Sequence, residues 1–171
     1  MGDRDDRRGA PADRDRTHLR SIRGGRQDER QATRHGAPRP SPRGTEVLTL
    51  PARTASARIA RHWVMNELAA EGVYGVDNQI VELLTGELVA NAALHGPSDG
   101  QVQVTAWRAG DTVRVAVRDD SPVAPVVRHP APTAPSGRGM ALVESLAADW
   151  GVDHHGDEGK TVWFSVAVEP A

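Results

Sequence analysis

Residues 101–118 read QVQVTAWRAGDTVRVAVR, and this stretch decides the fold. Residues 101–108 and 112–118 alternate between apolar and polar side chains on either side of Ala109-Gly110-Asp111. A period of two is the mark of a half-buried strand, and a short Gly-Asp joint between two such strands makes a β-hairpin. Outward from it, residues 149–154 and 160–168 form a second hairpin across 156–159. In the other direction lie two helical patterns. Residues 54–71 place Ile59, Trp63, Val64 and Leu68 on one face and stop at Gly72. Asp77 is suited to cap a second helix running to about Leu94, with Ile80, Val81, Leu84, Leu88 and Val89 facing the core. Residues 46–50 read as a short strand, 139–148 as a third helix, and 121–136, with five prolines, as a long loop. The order β-α-α-β-β-α-β-β predicts an α+β fold, a two-layer sandwich with helices on one face of a mostly antiparallel sheet.

Composition bounds what such a domain can do. The chain has 171 residues, 38% hydrophobic and 26% charged, an ordinary globular balance. With no cysteine there is no disulfide framework, no thiolate metal site and no thiol nucleophile. The composition fits a cytoplasmic setting, and no apolar run approaches the ~20 residues of a membrane span. Charge divides the chain in two. Residues 1–44 hold 12 Arg against seven acids, a net of +5, whereas residues 45–171 hold eight Arg and one Lys against 16 acids, a net of −7. The first segment has few apolar residues, four prolines and six glycines, and is expected to be a disordered Arg-rich tail. Its interspersed aspartates disfavour a nucleic-acid partner. The folded domain is expected over 45–171.

Four motifs carry candidate chemistry. Glu87, Asn91 and His95 are four apart, so they share one helical face. An Asn carbonyl beside a Glu offers one oxygen ligand for Mg²⁺ and one base, although a solvated face would carry the same residues. Asp119 ends a strand in Arg118-Asp119-Asp120-Ser121-Pro122 and could accept from an adenine amino group or simply open a turn. Gly137-Arg138-Gly139 precedes a helix, where glycines and a free helix N-terminus suit phosphate, or a plain loop-to-helix joint. Gly159-Lys160-Thr161 feeds an apolar strand, and Thr161 is placed for a hydroxyl contact near the strand start.

In order and spacing, these motifs resemble the ATP-binding module of DNA gyrase, sensor histidine kinases and MutL, the GHKL or Bergerat fold. Within it they look closest to the anti-sigma-factor serine/threonine kinases. Residues 87–95 match the N box, 119–122 the first glycine box, 137–143 the second and 159–161 the closing Gly-x-Thr. The resemblance spans about 46–168. It implies ATP and Mg²⁺ as cofactors, with Glu87 the catalytic base and Asn91 the Mg²⁺ ligand. It further implies that Asp119 reads adenine with help from Thr161, and that Gly137, Arg138 and Gly139 cradle phosphates under the 121–136 loop. The implied partners are a sigma factor and an antagonist protein that receives the γ-phosphate on a serine or threonine. A homodimer is a further expectation by resemblance.

Two departures from the family pattern stand out. The first glycine box is commonly Asp-x-Gly-x-Gly, and here Ser121 and Pro122 follow Asp119-Asp120. Pro135 stands where the sporulation-type kinases carry an Arg to the γ-phosphate, and the nearest Arg is Arg138. Phosphoryl transfer depends on charge positioned there. The alternative function is therefore a nucleotide-gated protein-binding module that transfers nothing.

Overall fold

A computed structural model describes residues 30–31, 41–128 and 137–169. In chain order its elements are β1 (Arg30–Gln31), β2 (Leu48–Pro51), α1 (Ser56–Ala70), α2 (Gly75–His95), β3 (Gln101–Ala109), β4 (Thr112–Asp119), β5 (Val126–Val127), α3 (Gly139–Leu146), β6 (Asp149–His154) and β7 (Lys160–Ala167). Five strands form one sheet in the order β2-β3-β4-β7-β6, every neighbouring pair antiparallel. All three helices lie on one face of it, giving the expected α+β two-layer sandwich.

The hairpin β3–β4 builds the sheet's centre. Gly110 takes φ +67° in the two-residue turn, a conformation whose twist matches that of the strands it joins. Val102, Val104 and Ala106 of β3 and Val113, Val115 and Val117 of β4 turn to the helices and are buried. From β7, Val162, Phe164 and Val166 continue that layer. Val64 and Leu68 of α1 and Val81, Leu84, Leu88 and Val89 of α2 close over it. Burying a side chain of this size contributes about 1.5–3 kcal/mol, so this layer is the main source of stability.

The other face of the sheet carries Gln103, Thr105, Trp107, Arg114 and Trp163. The Arg114 guanidinium stacks 3.6 Å from the Trp163 ring centre and 6.0 Å from that of Trp107. Large aromatic side chains thus fill both faces, Trp150 and Phe164 in the core and Trp107 and Trp163 behind it.

Several local expectations shift. α1 buries Ala60, Val64 and Leu68, whereas Ile59 is 53% exposed. The helical period admits either set, and the crossing of α1 over the sheet selects the row through Ala60. α2 begins at Gly75, with Asp77 inside its first turn and not at the cap. There its carboxylate still meets the positive end of the helix dipole. Within the proline-rich loop, Val126–Val127 forms a strand antiparallel to Arg30–Gln31, two residues of the stretch read as a disordered tail. The rest of that tail reading over 1–29 and 32–40, and the loop reading over 129–136 with Pro135, lie outside the described residues. Among the described residues no helix is long and apolar enough to cross a membrane.

Candidate functional site

Glu87, Asn91 and His95 line one cavity of about 470 Å³, within the usual range for a small-molecule site. The four-residue spacing along α2 brings the three to a common side. Ala90 and Leu94 add to the α2 wall, and the rest of the lining comes from the 123–128 segment, from Gly137, Gly139 and Met140 around the head of α3, and from Lys160 at the head of β7. Four parts of the chain far apart in sequence therefore meet at one opening.

The glycines of the 137–139 run have separate reasons. Gly137 takes φ +87°, a conformation L side chains rarely adopt. At Gly139 the reason is contact, since a Cβ there would lie 2.5 Å from Glu87 Oε2. The Glu87 carboxylate thus packs against the first residue of α3, and only glycine leaves room for it. No side chain caps α3, so its first N–H groups are left to another acceptor. Arg138 is the N-cap residue and is exposed; it does not share the cavity lining with its two glycine neighbours.

Asp119 ends β4 and is 2% exposed. Its Oδ1 accepts the Ser121 N–H at 2.8 Å and the Lys160 ammonium at 2.8 Å. Lys160 Nζ also reaches the Ser121 carbonyl at 3.3 Å. Of the pair, Lys160 is the member that lines the cavity, and Asp119 stands behind it. Gly159 makes this approach possible. It takes φ +101°, and a Cβ on it would overlap the Asp119 carbonyl oxygen and lie 2.8 Å from Asp120 Cα.

Thr161 sits on the opposite side of the sheet from Lys160. The β4–β7 register pairs Asp119 with Lys160 and Arg118 with Thr161. Successive strand residues point to opposite faces, so Lys160 turns toward Asp119 and Thr161 turns to the far face. There Thr161 lines a separate groove with Trp107, Arg114 and Trp163, and its Oγ1 lies 2.8 Å from His155 Nε2. Thr161 thus lies apart from the cavity that Glu87 and Asn91 line.

Two charged cavity residues were not singled out from the sequence. Arg128 carries no local signal, since it lies in the proline-rich segment ten residues before Arg138. Lys160 did carry a signal, being the one Lys among 21 basic residues. His154 and His155 are both exposed, and among the described residues no group of three His, Asp or Glu side chains could hold a metal ion. A cation beside Asn91 would take its other oxygens from a phosphate chain and water, the usual manner of magnesium.

By sequence, the histidine kinase-like ATPase domain matches residues 50–166. No curated protein sequence matches the chain. Among solved structures, the RsbU and RsbW domains of Rv1364c from Mycobacterium tuberculosis are 28% identical over 77% of this chain, with a TM-score of 0.57. The match spans 34% of that protein's chain, so this chain corresponds to about a third of it. The mycobacterial sensor histidine kinase MprB is 16% identical, with 58% of this chain and 78% of the other covered and a TM-score of 0.40. The histidine kinase domain from the Erythrobacter litoralis EL346 blue-light activated kinase is 23% identical, with 75% and 66% covered and a TM-score of 0.42.

Proposed function

The chain belongs to the histidine kinase-like ATPase family, of GHKL type, and on that premise we propose that it is an ATP-dependent serine/threonine kinase acting on a regulatory partner protein. The observation that carries this reading is the seating of Glu87 against Gly139 in the cavity that Asn91 also lines. A base, an oxygen ligand and a glycine-rich helix head then surround one space. When bound, ATP·Mg²⁺ supplies the phosphoryl group and offsets the charge that develops on it. Glu87 accepts the proton of an incoming serine or threonine hydroxyl. Asn91 holds the cation through its carbonyl oxygen. The backbone N–H groups around Gly137 and Gly139 hold phosphate oxygens, and Arg128 and Arg138 are the nearby cations for the terminal phosphate.

The likeness to the RsbU and RsbW domains of Rv1364c supports an anti-sigma type of partner set. In that reading the receiving protein is a small antagonist, and a sigma factor is held once the antagonist is phosphorylated. A second reading, the nucleotide-gated binding module, is favoured by Ser121 and Val123 at the glycine positions of the first box and by Pro135 in place of the family's phosphate-binding Arg. One experiment separates them. Label transfer from γ-labelled ATP with Mg²⁺ to proteins of the native lysate is compared for wild type and Glu87→Ala. A small protein labelled by the wild type alone supports the kinase. Confirmed ATP binding with no labelled band supports the module.

A further inference from the structure

Val126 and Arg128 line the cavity that Glu87 and Asn91 share, while Val127 between them is 3% exposed and belongs to the core. That alternation is a strand's, with one side on the cavity and the other on the core. Little else ties the backbone of the 123–128 wall. Among the described residues its hydrogen bonds are the Val123 N–H to Ser121 Oγ, at 3.3 Å, and the pairing of β5 with β1. In that pairing Gln31 lies opposite Val126 and Arg30 opposite Val127, antiparallel. Among the described residues β5 pairs with no other strand. One wall of the cavity is therefore fastened by a piece of chain from far earlier in the sequence.

Backbone N–H and C=O groups in a cavity wall need partners, and strand pairing supplies them before any ligand arrives. A wall already ordered spares the ligand the conformational cost of ordering it, which would otherwise be subtracted from its affinity. The converse follows by linkage. A ligand that packs against Val126 and Arg128 favours the arrangement of β5 that β1 recognises, and the two effects are equal in size. A lone two-stranded ladder is marginal in water, and one of two residues a side is readily shifted by such a ligand.

We infer that Arg30–Gln31 is an intramolecular docking strand of the nucleotide site, which holds the β5 wall in place and is itself held more firmly when nucleotide is bound. This rests on the nucleotide reading of the cavity. Recognition is by backbone, the mode of strand addition at an open edge, so it depends on the main-chain groups of residues 30 and 31. These residues act through β5 and touch no reacting atom, which makes them positioning residues. The N-terminal segment thereby senses whether the cavity is filled.

The test uses the full chain, with calorimetric binding of ATP and Mg²⁺ and amide hydrogen exchange read at residues 30, 31, 126 and 127. The double variant Arg30→Pro/Gln31→Pro removes both backbone donors of β1, and Arg30→Ala/Gln31→Ala keeps them. The proline variant is expected to bind ATP about tenfold more weakly than wild type, within the usual range of coupling between two sites. The alanine variant should stay within about twofold. In the wild type, ATP with Mg²⁺ should slow exchange at residues 30 and 31 by about the same factor of ten. Should the proline variant fail to fold, exchange in the wild type still decides. Wild-type affinity in the proline variant, an equal loss in the alanine variant, or exchange at 30 and 31 that ignores ATP overturns the docking strand and leaves the nucleotide site standing. Absence of ATP binding by the wild type overturns both.

Discussion

Lys160 Nζ lies 2.8 Å from Asp119 Oδ1, with the two side chains 1% and 2% exposed, so residues 41 apart in sequence form an ion pair closed to solvent. The pair sits where β4 ends and β7 begins, at the inner side of the cavity. A buried pair of this sort contributes little net stability against apolar groups of equal size, yet breaking it leaves one charge without compensation. It lies in the β4–β7 register at the end of the sheet that borders the site.

Lys160→Met should destabilise the domain by about 3–5 kcal/mol, because the Asp119 carboxylate stays buried without a counter-charge. Adding Asp119→Asn should recover part of that loss. Urea unfolding of the two single variants and the double variant measures the coupling; purely additive losses would show that the pair is not a unit.

Gly159→Ala should be more harmful than any surface change, at roughly 3 kcal/mol or more. The backbone φ of +101° disfavours a Cβ, and the Cβ would collide with the Asp119 carbonyl oxygen. The thermal midpoint of the variant is the readout, and an unchanged midpoint would contradict the close approach of β7 to β4.

Gly139→Ala presents a different case. Its added Cβ meets the far end of a flexible side chain, Glu87 Oε2, and not the backbone. Folding should survive, with a midpoint within a few degrees of wild type, while Glu87 swings out of position. A misplaced general base loses about 10²–10⁴-fold in rate, so label transfer should fall by that order with ATP still bound.

Thr161→Val should leave ATP affinity within about twofold of wild type, since the side chain lies on the far face of the sheet with His155 and no hydrogen bond to the nucleotide is lost. A tenfold loss in calorimetric binding would restore the role that the Gly-x-Thr pattern alone suggests.

Asn91→Ala removes the carbonyl oxygen that shares the cavity with Glu87. Mg²⁺-dependent ATP binding should be abolished, and the residual affinity should no longer respond to the metal. Titration of ATP with and without Mg²⁺ checks it, and unchanged binding would sink the assignment of the site.

Much of this was legible from local pattern. The alternation of 101–118 foretold the central hairpin, and the four-residue spacing of Glu87, Asn91 and His95 foretold that they would share a side. The two glycines at the head of α3 foretold a close approach of backbone to something. Each is a property of about ten neighbouring residues, set by the period of a helix or strand or by the steric freedom of glycine.

What tertiary structure alone decided is which side each pattern faces and what it meets there. Ile59 and Ala60 belong to adjacent helical rows, and only the crossing of α1 over the sheet buries that of Ala60. The partner of Gly139 is Glu87, a residue of another helix. In Gly159-Lys160-Thr161 a shift of one residue exchanges the two faces of the sheet. The pairing of Asp119 with Lys160 settles that choice, and it follows from the summed packing of β4 and β7 over their whole length, which no local stretch of the chain contains.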